Sequence, residues 1–202
     1  MLRVFLLCLG LSLLSASARA DTLLVYGDSL SAGYGVPREQ SWASLLARRM
    51  QEKRLDYKVV NASLTGETTT GGAARIADVL RTHTPSIVIV ELGANDGLRG
   101  QRLDAMQRNL EAIIETCRQA RARVLLIGMR LPPNYGMAYT EKFQRTFVDV
   151  ARRQKVPLVP FLLDGFAENR ALFQPDGVHP TMEAQPLMLD TVWSALQPML
   201  RK

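Results

Sequence analysis

Residues 86–97 read Ser-Ile-Val-Ile-Val-Glu-Leu-Gly-Ala-Asn-Asp-Gly, an apolar run that gives way to a polar segment with two glycines. Apolar residues at consecutive positions, as at residues 87–90, are typical of parallel strands that helices cover on both faces. We therefore predict a buried parallel strand at residues 86–91, with the polar segment beginning where the strand ends.

On both sides of this strand, short apolar runs alternate with stretches of helical periodicity. Four further strands are predicted at residues 22–26, 57–60, 123–128 and 157–159. Between the strands, apolar residues recur at three- and four-residue steps, which indicates amphipathic helices; examples are Trp42, Leu46 and Met50, then Leu103, Met106, Leu110, Ile113 and Cys117. This alternation predicts an α/β fold, a three-layer α/β/α sandwich around a five-stranded parallel sheet.

The first twenty residues are typical of a secretory signal peptide. Arg3 precedes an apolar run, and Ala18 and Ala20 are small residues at the positions that a signal peptidase reads. The run is short for a membrane span, and an uncleaved N-terminal anchor is the alternative. We expect export, to the periplasm or out of the cell.

The rest of the chain has the composition of one globular domain. The 202 residues are 47% hydrophobic and 22% charged, which excludes a disordered chain and suffices for a sizeable core. Loss of Arg3 and Arg19 with the signal peptide lowers the net charge from +6 to +4, and no basic run suggests nucleic-acid binding. No linker or internal repeat is present, so we predict a single domain over residues 21–202.

In parallel α/β sheets, the loops that follow the strands meet at one edge, where ligands bind. After the first strand comes Gly27-Asp28-Ser29, a glycine that permits a sharp turn and a serine at a helix start. The amino end of a helix favours developing negative charge, so this segment suits a nucleophilic hydroxyl. The alternative is that Asp28 and Ser29 only cap the helix.

Gly66 and Asn95 follow the second and third strands. Gly66 can offer a backbone N–H to a ligand, and Asn95 can offer a side-chain amide that does not titrate. The alternative for each is a turn, since glycine and Asn-Asp-Gly segments tolerate left-handed backbone, and for a glycine in a loop a turn is the usual explanation.

Near the C-terminus, Asp176-Gly-Val-His179 brings a carboxylate and an imidazole into one loop. A carboxylate bonded to Nδ1 fixes the tautomer and leaves Nε2 to accept a serine proton. A nucleophile, a base with its orienting carboxylate, and donors for an oxyanion are the set that acyl transfer requires.

These segments, in this order, resemble the GDSL or SGNH hydrolases across the chain after residue 20. They are Gly-Asp-Ser-Leu at residues 27–30, Gly66, Gly93-x-Asn95-Asp96 and Asp176-x-x-His179. The sequence is similar in more detail to the secreted bacterial thioesterase/lysophospholipase/arylesterase subgroup at residues 27–35, 95–100, 130–136 and 176–180. The resemblance implies a flavodoxin-like topology and hydrolysis of carboxylic esters and thioesters through an acyl-serine, without cofactor or metal.

The resemblance also implies a role for each residue of the site. Ser29 is expected to be the nucleophile, with His179 as its base and Asp176 as the third member of the triad. The expected oxyanion hole consists of the backbone N–H groups of Ser29 and Gly66 and the side chain of Asn95.

The segment at residues 131–139 follows the fourth strand and is predicted to overhang the cleft. Four of its side chains are predicted to line an acyl groove, namely Leu131, Tyr135, Met137 and Tyr139. A packed loop that closes the fold is the alternative. Many relatives have a second glycine where this chain has Ala94, and we expect its methyl group to affect substrate fit. The predicted substrates are acyl esters, thioesters and lysophospholipids, and the protein is expected to be a monomer without a stable membrane span.

Three other functions fit parts of the pattern. A flavodoxin-like flavin binder would use the serine-rich loop as a phosphate cradle, which leaves the Asp/His pair without a role. A metal-dependent phosphoesterase would use as ligands Asp28, Asp96, Asp176 and His179. A lipid carrier would use the same groove without turnover. Neither G-x-x-x-x-G-K-[ST] nor G-x-G-x-x-G occurs, which excludes P-loop and Rossmann nucleotide sites.

Overall fold

The computed structural model describes residues 20–200, so the expected signal peptide lies outside the described residues except for Ala20. One sheet contains five parallel strands, which are β1 Asp21–Gly27, β2 Tyr57–Asn61, β3 Ile87–Glu91, β4 Arg123–Ile127 and β5 Leu158–Val159. Each strand lies where the apolar runs predict it, with its ends shifted by no more than one residue.

The strand order is β2-β1-β3-β4-β5, and all neighbouring strands are parallel. From β1 the chain forms β2 at one edge and then crosses to the other side of β1 to form β3. The carboxyl ends of β1 and β3 therefore flank the point where the topology reverses, which is where sheets of this kind bind ligands. This is the flavodoxin-like strand order that the resemblance implies.

Two groups of helices cover the sheet, since α2 packs against α7 and α5 packs between α3 and α6. The described part of the chain contains seven α-helices, which are α1 Ser29–Ala32, α2 Trp42–Glu52, α3 Thr69–His83, α4 Ala94–Leu98, α5 Leu103–Gln119, α6 Met137–Gln154 and α7 Gln185–Leu196. Short 3-10 turns lie at Arg38–Gln40, Pro133–Tyr135, Arg170–Leu172 and Gln197–Met199. The predicted α/β/α sandwich is confirmed. Periodicity did not predict α1 and α4 because one turn of helix is too short to show it.

The core lies between the sheet and the helices. The side chains of residues 87–90 in β3 have no exposed surface, as consecutive apolar residues predict. Cys117 on α5 is also fully buried, and burial raises the pKa of its thiol to about 12, so it packs as a small hydrophobic residue. Within residues 20–200, no helix combines the length and the apolar character needed to cross a bilayer.

Candidate active site

The turn after β1 presents Ser29 at the carboxyl edge of the sheet. Gly27 ends the strand, and a Cβ on it would lie 2.8 Å from the carbonyl oxygen of Glu91, so the turn runs against β3 only because glycine has no side chain. Asp28 then caps α1, since its Oδ1 accepts a hydrogen bond from the Leu30 N–H at 3.0 Å. Ser29 is the first residue of this helix.

Ser29, His179 and Asp176 are joined by hydrogen bonds in series. The Oγ of Ser29 lies 2.9 Å from Nε2 of His179, and Nδ1 of His179 lies 2.7 Å from Oδ2 of Asp176. A carboxylate only accepts hydrogen bonds, so Nδ1 carries the proton and Nε2 is the acceptor that faces the hydroxyl. The structure thus brings together a serine and an imidazole that are 150 positions apart in sequence.

The carboxylate of Asp176 is held in its charged form. Its Oδ1 accepts the backbone N–H groups of His179 at 3.0 Å and Val178 at 2.9 Å. These hydrogen bonds and the adjacent imidazole lower the pKa of Asp176 to about 2. A positive φ of 68° at Gly177 allows the tight turn that directs both N–H groups at one oxygen.

Gln174 connects the loop that carries His179 to the loop after α1 through hydrogen bonds. The Gln174 N–H donates to the carbonyl of His179 at 2.8 Å, and its Nε2 donates to the carbonyl of Tyr34 at 2.8 Å. The ring of Tyr34 lies against the imidazole, with 4.4 Å between ring centroids. Sequence reasoning assigned no role to Gln174 or Tyr34. The only signal was an aromatic residue between two glycines in Gly-Tyr-Gly.

Two of the three expected oxyanion donors are backbone groups. The Leu64 N–H donates to the carbonyl of Gly27 at 3.0 Å, which brings the loop of Gly66 against the turn that carries Ser29. In the part of the chain that the structure describes, the N–H groups of Ser29 and Gly66 have no hydrogen-bond acceptor. Both are therefore free to bind a developing negative charge.

The third expected donor, Asn95, lies in the first turn of α4. Its Nδ2 donates to Oδ2 of Asp28 at 3.0 Å, and because that oxygen can only accept, the amide nitrogen must face it. The second hydrogen on Nδ2 remains available to a ligand. Ala94 is buried beside it at 7% exposure, and the effect of its methyl group on substrate fit stays a prediction.

Two buried carboxyl groups, those of Asp28 and Glu91, lie beside the turn that carries Ser29. Oε2 of Glu91 accepts a hydrogen bond from the Ser31 hydroxyl at 2.7 Å and lies 3.4 Å from the Asp28 nitrogen. Burial raises the pKa of Asp28 to about 6, although the Leu30 N–H and the Asn95 amide oppose the increase. Burial and the neighbouring Asp28 raise the pKa of Glu91 well above its usual range. The sequence analysis did not predict the buried contact of Glu91 with Ser31 and Asp28. The signal that could have indicated it is an acidic residue at the end of an apolar strand.

The segment at residues 131–139 packs on residues 97–101. The Tyr135 hydroxyl donates to the carbonyl of Leu98 at 3.0 Å, and the Tyr139 hydroxyl donates to that of Gln101 at 3.2 Å. Leu131 is buried, whereas Met137 is 76% exposed. This packing favours the closing-loop interpretation for three of the four side chains that were predicted to line an acyl groove. Met137 remains the one that can meet a ligand without rearrangement.

The ligand set of the metal-dependent alternative is not assembled. Oδ1 of Asp96 accepts the hydroxyl of Thr69 at 2.6 Å, and Oδ2 accepts its N–H at 2.9 Å, which ties this carboxylate to the start of α3. Across residues 20–200, no group of three or more His, Cys, Asp or Glu side chains is arranged to hold a metal ion.

A hydroxyl, an imidazole and a carboxylate in series, next to unpaired amide donors at the switch point of a parallel sheet, are characteristic of serine hydrolases. The GDSL-like lipase/acylhydrolase family matches residues 25–185, and the chain belongs to this family. It is therefore an acylhydrolase.

Relatives match this chain over almost its whole length. The esterase TesA of Pseudomonas aeruginosa is 46% identical over 193 residues, which cover 96% of each chain. The thioesterase 1/protease 1/lysophospholipase L1 of Escherichia coli K12 is 41% identical over 184 residues, 91% of this chain and 87% of that one. A crystal structure of TesA, 46% identical, aligns with a TM-score of 0.87 over 89% of this chain and 100% of its own. The predicted family and fold are confirmed.

Proposed function

We propose that this protein hydrolyses carboxylic esters and thioesters, with Ser29 as nucleophile and His179 as general base. The observation that carries the proposal is the 2.9 Å contact between Ser29 Oγ and His179 Nε2, with Asp176 on the far side of the imidazole. The names of the relatives, an esterase and a thioesterase/lysophospholipase, support these two substrate classes.

Acylation begins when His179 Nε2 takes the proton of Ser29 Oγ as this oxygen attacks the carbonyl carbon. Asp176 stabilises the imidazolium that forms. The tetrahedral oxyanion accepts hydrogen bonds from the N–H groups of Ser29 and Gly66 and from Nδ2 of Asn95. His179 then gives its proton to the departing alcohol or thiol, and the acyl group remains on Ser29.

Deacylation repeats these steps with water in place of the hydroxyl. His179 takes a proton from water, whose oxygen attacks the acyl-serine carbonyl, and the same donors hold the second oxyanion. Collapse of this intermediate returns the proton to Ser29 and releases the carboxylic acid. One imidazole thus acts twice as base and twice as acid, which requires that Asp176 stay charged throughout.

Lysophospholipids are included in the proposed substrates because one relative carries that activity in its name. We propose in addition that residues 1–20 direct export, so that the enzyme acts in the periplasm or outside the cell. It is proposed to act as a single-domain monomer. This is supported by the fact that Ser29, His179 and Asp176 all come from one chain.

Labelling with a fluorophosphonate, alongside turnover of p-nitrophenyl acetate, tests the chemistry. We expect one adduct, on Ser29, and we expect Ser29→Ala to abolish both labelling and turnover. Ser194→Ala is the matched control, because Ser194 is an exposed serine on α7 whose hydroxyl bonds only within its own helix. An adduct on another residue, or turnover by Ser29→Ala, overturns the assignment.

The proposed contribution of Met137 to acyl-chain binding has its own test. We expect Met137→Ser to lower kcat/KM for p-nitrophenyl decanoate by about five-fold and to leave the acetate unaffected, because only a long chain reaches this apolar side chain. Val148→Ser, an exposed change on the same helix, should alter neither. Equal kcat/KM values from acetyl to palmitoyl esters in the parent enzyme would contradict an acyl groove.

A further inference from the structure

Large apolar side chains that face solvent are concentrated around the site. Within residues 20–200, seven such side chains are at least 41% exposed. Four of them lie on the chain segments that carry Ser29, Gly66 and His179 and are called the apolar rim here: Tyr34, Leu64, Val178 and Met182. Exposed apolar groups that cluster, rather than occurring singly, mark a surface that contacts an apolar partner.

The rim is fixed to the catalytic loops on both sides of the cleft. The Tyr34 ring packs on the imidazole of His179 at 4.4 Å. Leu64 is 51% exposed, and its N–H is bonded to the carbonyl of Gly27, two residues before Ser29. Any molecule that binds the apolar rim therefore also faces the mouth of the cleft.

The other two rim residues lie on the loop of the base. Val178 is 41% exposed and directly precedes His179, and Met182 is 44% exposed and follows it by three positions. The Val178 N–H is bonded to Asp176, so the side chain is held outward by the same turn that positions the imidazole.

Two unpaired positive charges border the rim. Nη2 of Arg99 lies 3.0 Å from the carbonyl of Gly66, and the guanidinium of Arg170 lies 3.8 Å from where a Cβ on Gly177 would stand. No carboxylate among the described residues is within 4.0 Å of either guanidinium, whereas Arg75 is paired with Glu67. Unpaired arginines beside an apolar surface complement the phosphate groups of anionic lipids.

We propose that the apolar rim, with Arg99 and Arg170, docks this enzyme on the surface of a phospholipid bilayer. The inference rests on the proposed function, because the docked surface supplies an ester to Ser29. A protein partner or a second copy on the rim would close the cleft, whereas a lipid surface delivers its acyl chains into it. Apolar side chains enter the interface between headgroups and acyl chains, while the arginines bind the phosphates.

Vesicle binding by the exported form, residues 21–202, with Ser29→Ala tests the docking, because this variant leaves the lipid intact and lacks the apolar segment of residues 1–20. Leu64→Ser is compared with Val148→Ser, which removes a similarly exposed apolar side chain from the middle of α6. We expect Leu64→Ser to weaken partitioning onto phosphatidylcholine/phosphatidylglycerol vesicles roughly five-fold, as loss of a half-exposed leucine implies. Val148→Ser should leave it unchanged, and Met182→Ser is a second rim variant with the same expected effect.

The charge contribution is tested with Arg170→Gln. We expect roughly five-fold weaker binding to vesicles that contain phosphatidylglycerol, and unchanged binding to vesicles of phosphatidylcholine alone. Arg123→Gln is the matched control, since Arg123 is exposed at the amino end of β4, on the opposite edge of the sheet.

Turnover of soluble p-nitrophenyl acetate separates the docking from the chemistry. With Ser29 present, Leu64→Ser and Arg170→Gln should retain the parent rate. Failure of the parent to hydrolyse this ester refutes the proposed function and leaves the vesicle result standing. The docking itself is refuted by absence of vesicle binding, by equal losses in Leu64→Ser and Val148→Ser, or by a dimer in solution that Leu64→Ser dissociates.

Discussion

Asp28 and Asp176 each support the site through a hydrogen bond to one functional side chain, yet their environments are opposite. Asp28 is buried at 1% exposure, which raises its pKa to about 6, and it holds the uncharged amide of Asn95. Asp176 is exposed, and its hydrogen bonds lower its pKa to about 2; it holds the imidazole of His179. An aspartate thus orients a neutral amide donor, Asn95, in one loop and an imidazole that becomes a cation, His179, in the other.

This difference follows from what each partner does during the proposed reaction. His179 becomes positively charged, so Asp176 must be fully ionised. Because Asp176 is exposed to water, its charged form has little desolvation cost. Asn95 never changes charge, so Asp28 needs only to accept hydrogen bonds and can be buried beside Glu91. We therefore expect removal of the Asp176 charge to affect the rate more than removal of the Asp28 charge.

The largest effect is predicted for Asp176→Asn. An amide can donate to Nδ1 and so reverse the tautomer, which removes the acceptor that faces Ser29; kcat should fall roughly 10³- to 10⁴-fold with little change in KM. Steady-state kinetics with p-nitrophenyl acetate measure this. Asp164→Asn, at an exposed loop position, should keep full activity. A loss in Asp176→Asn of less than ten-fold would mean that His179 does not need its carboxylate.

Asn95→Ala is predicted to have the next largest effect. It removes one of three oxyanion donors, so kcat should fall about 10²- to 10³-fold while KM changes little. The thermal unfolding midpoint of the variant serves as a check that the fold is intact. If kcat is unaltered in a folded variant, Asn95 does not belong to the oxyanion hole.

Asp28→Asn is predicted to act through Asn95 and to be milder. The new side chain has one acceptor oxygen in place of two, so it cannot accept both the Leu30 N–H and the Asn95 Nδ2–H. The orientation of Asn95 is then weakened, and kcat should fall about ten-fold. Adding Asp28→Asn to Asn95→Ala should then cause no further loss of kcat. Additive losses in the double variant would show that Asp28 supports catalysis by another route.

The sequence was sufficient to predict the sheet and the loops that carry the site. Consecutive apolar residues identify β3, and Ser29 and Asn95 were each found in a segment that follows a strand, where parallel strands must bring them near one another. His179 was found instead from its spacing to Asp176 near the C-terminus. Whether Asp28 caps a helix or supports catalysis could not be decided from one segment. In the structure it caps α1 and also holds Asn95.

Contacts between distant loops could not be predicted. Gln174 bonds to Tyr34 across 140 positions, and Glu91 bonds to Ser31 across 60. No periodicity marks such pairs, because irregular segments are positioned by tertiary contacts rather than by a repeating pattern. For the same reason, the sequence left two interpretations of residues 131–139, and only the hydroxyl contacts of Tyr135 and Tyr139 favour one of them.

The smallest predicted effect concerns stability and returns to the two carboxylates. Because the pKa of Asp28 rises on folding to about 6, the folded state binds more protons than the unfolded state between about pH 4 and 6. The Asp28 contribution is therefore present below pH 4 and is lost as the pH rises through 6, by on the order of 3 kcal/mol. The pKa of Asp176 is lowered to about 2, so its contribution is lost instead as the pH falls from 4 to 2.

Urea unfolding at pH values from 2 to 8 measures both slopes. In Asp28→Asn, the decrease in the free energy of unfolding between pH 4 and 6 should be smaller than in the parent, whereas Asp176→Asn should retain it. The pKa of Glu91 is also raised by burial, so a decrease that remains in Asp28→Asn is expected to come from Glu91. An unchanged slope between pH 4 and 6 in Asp28→Asn would mean that Asp28 is not the group that binds the proton and that its pKa does not rise on folding.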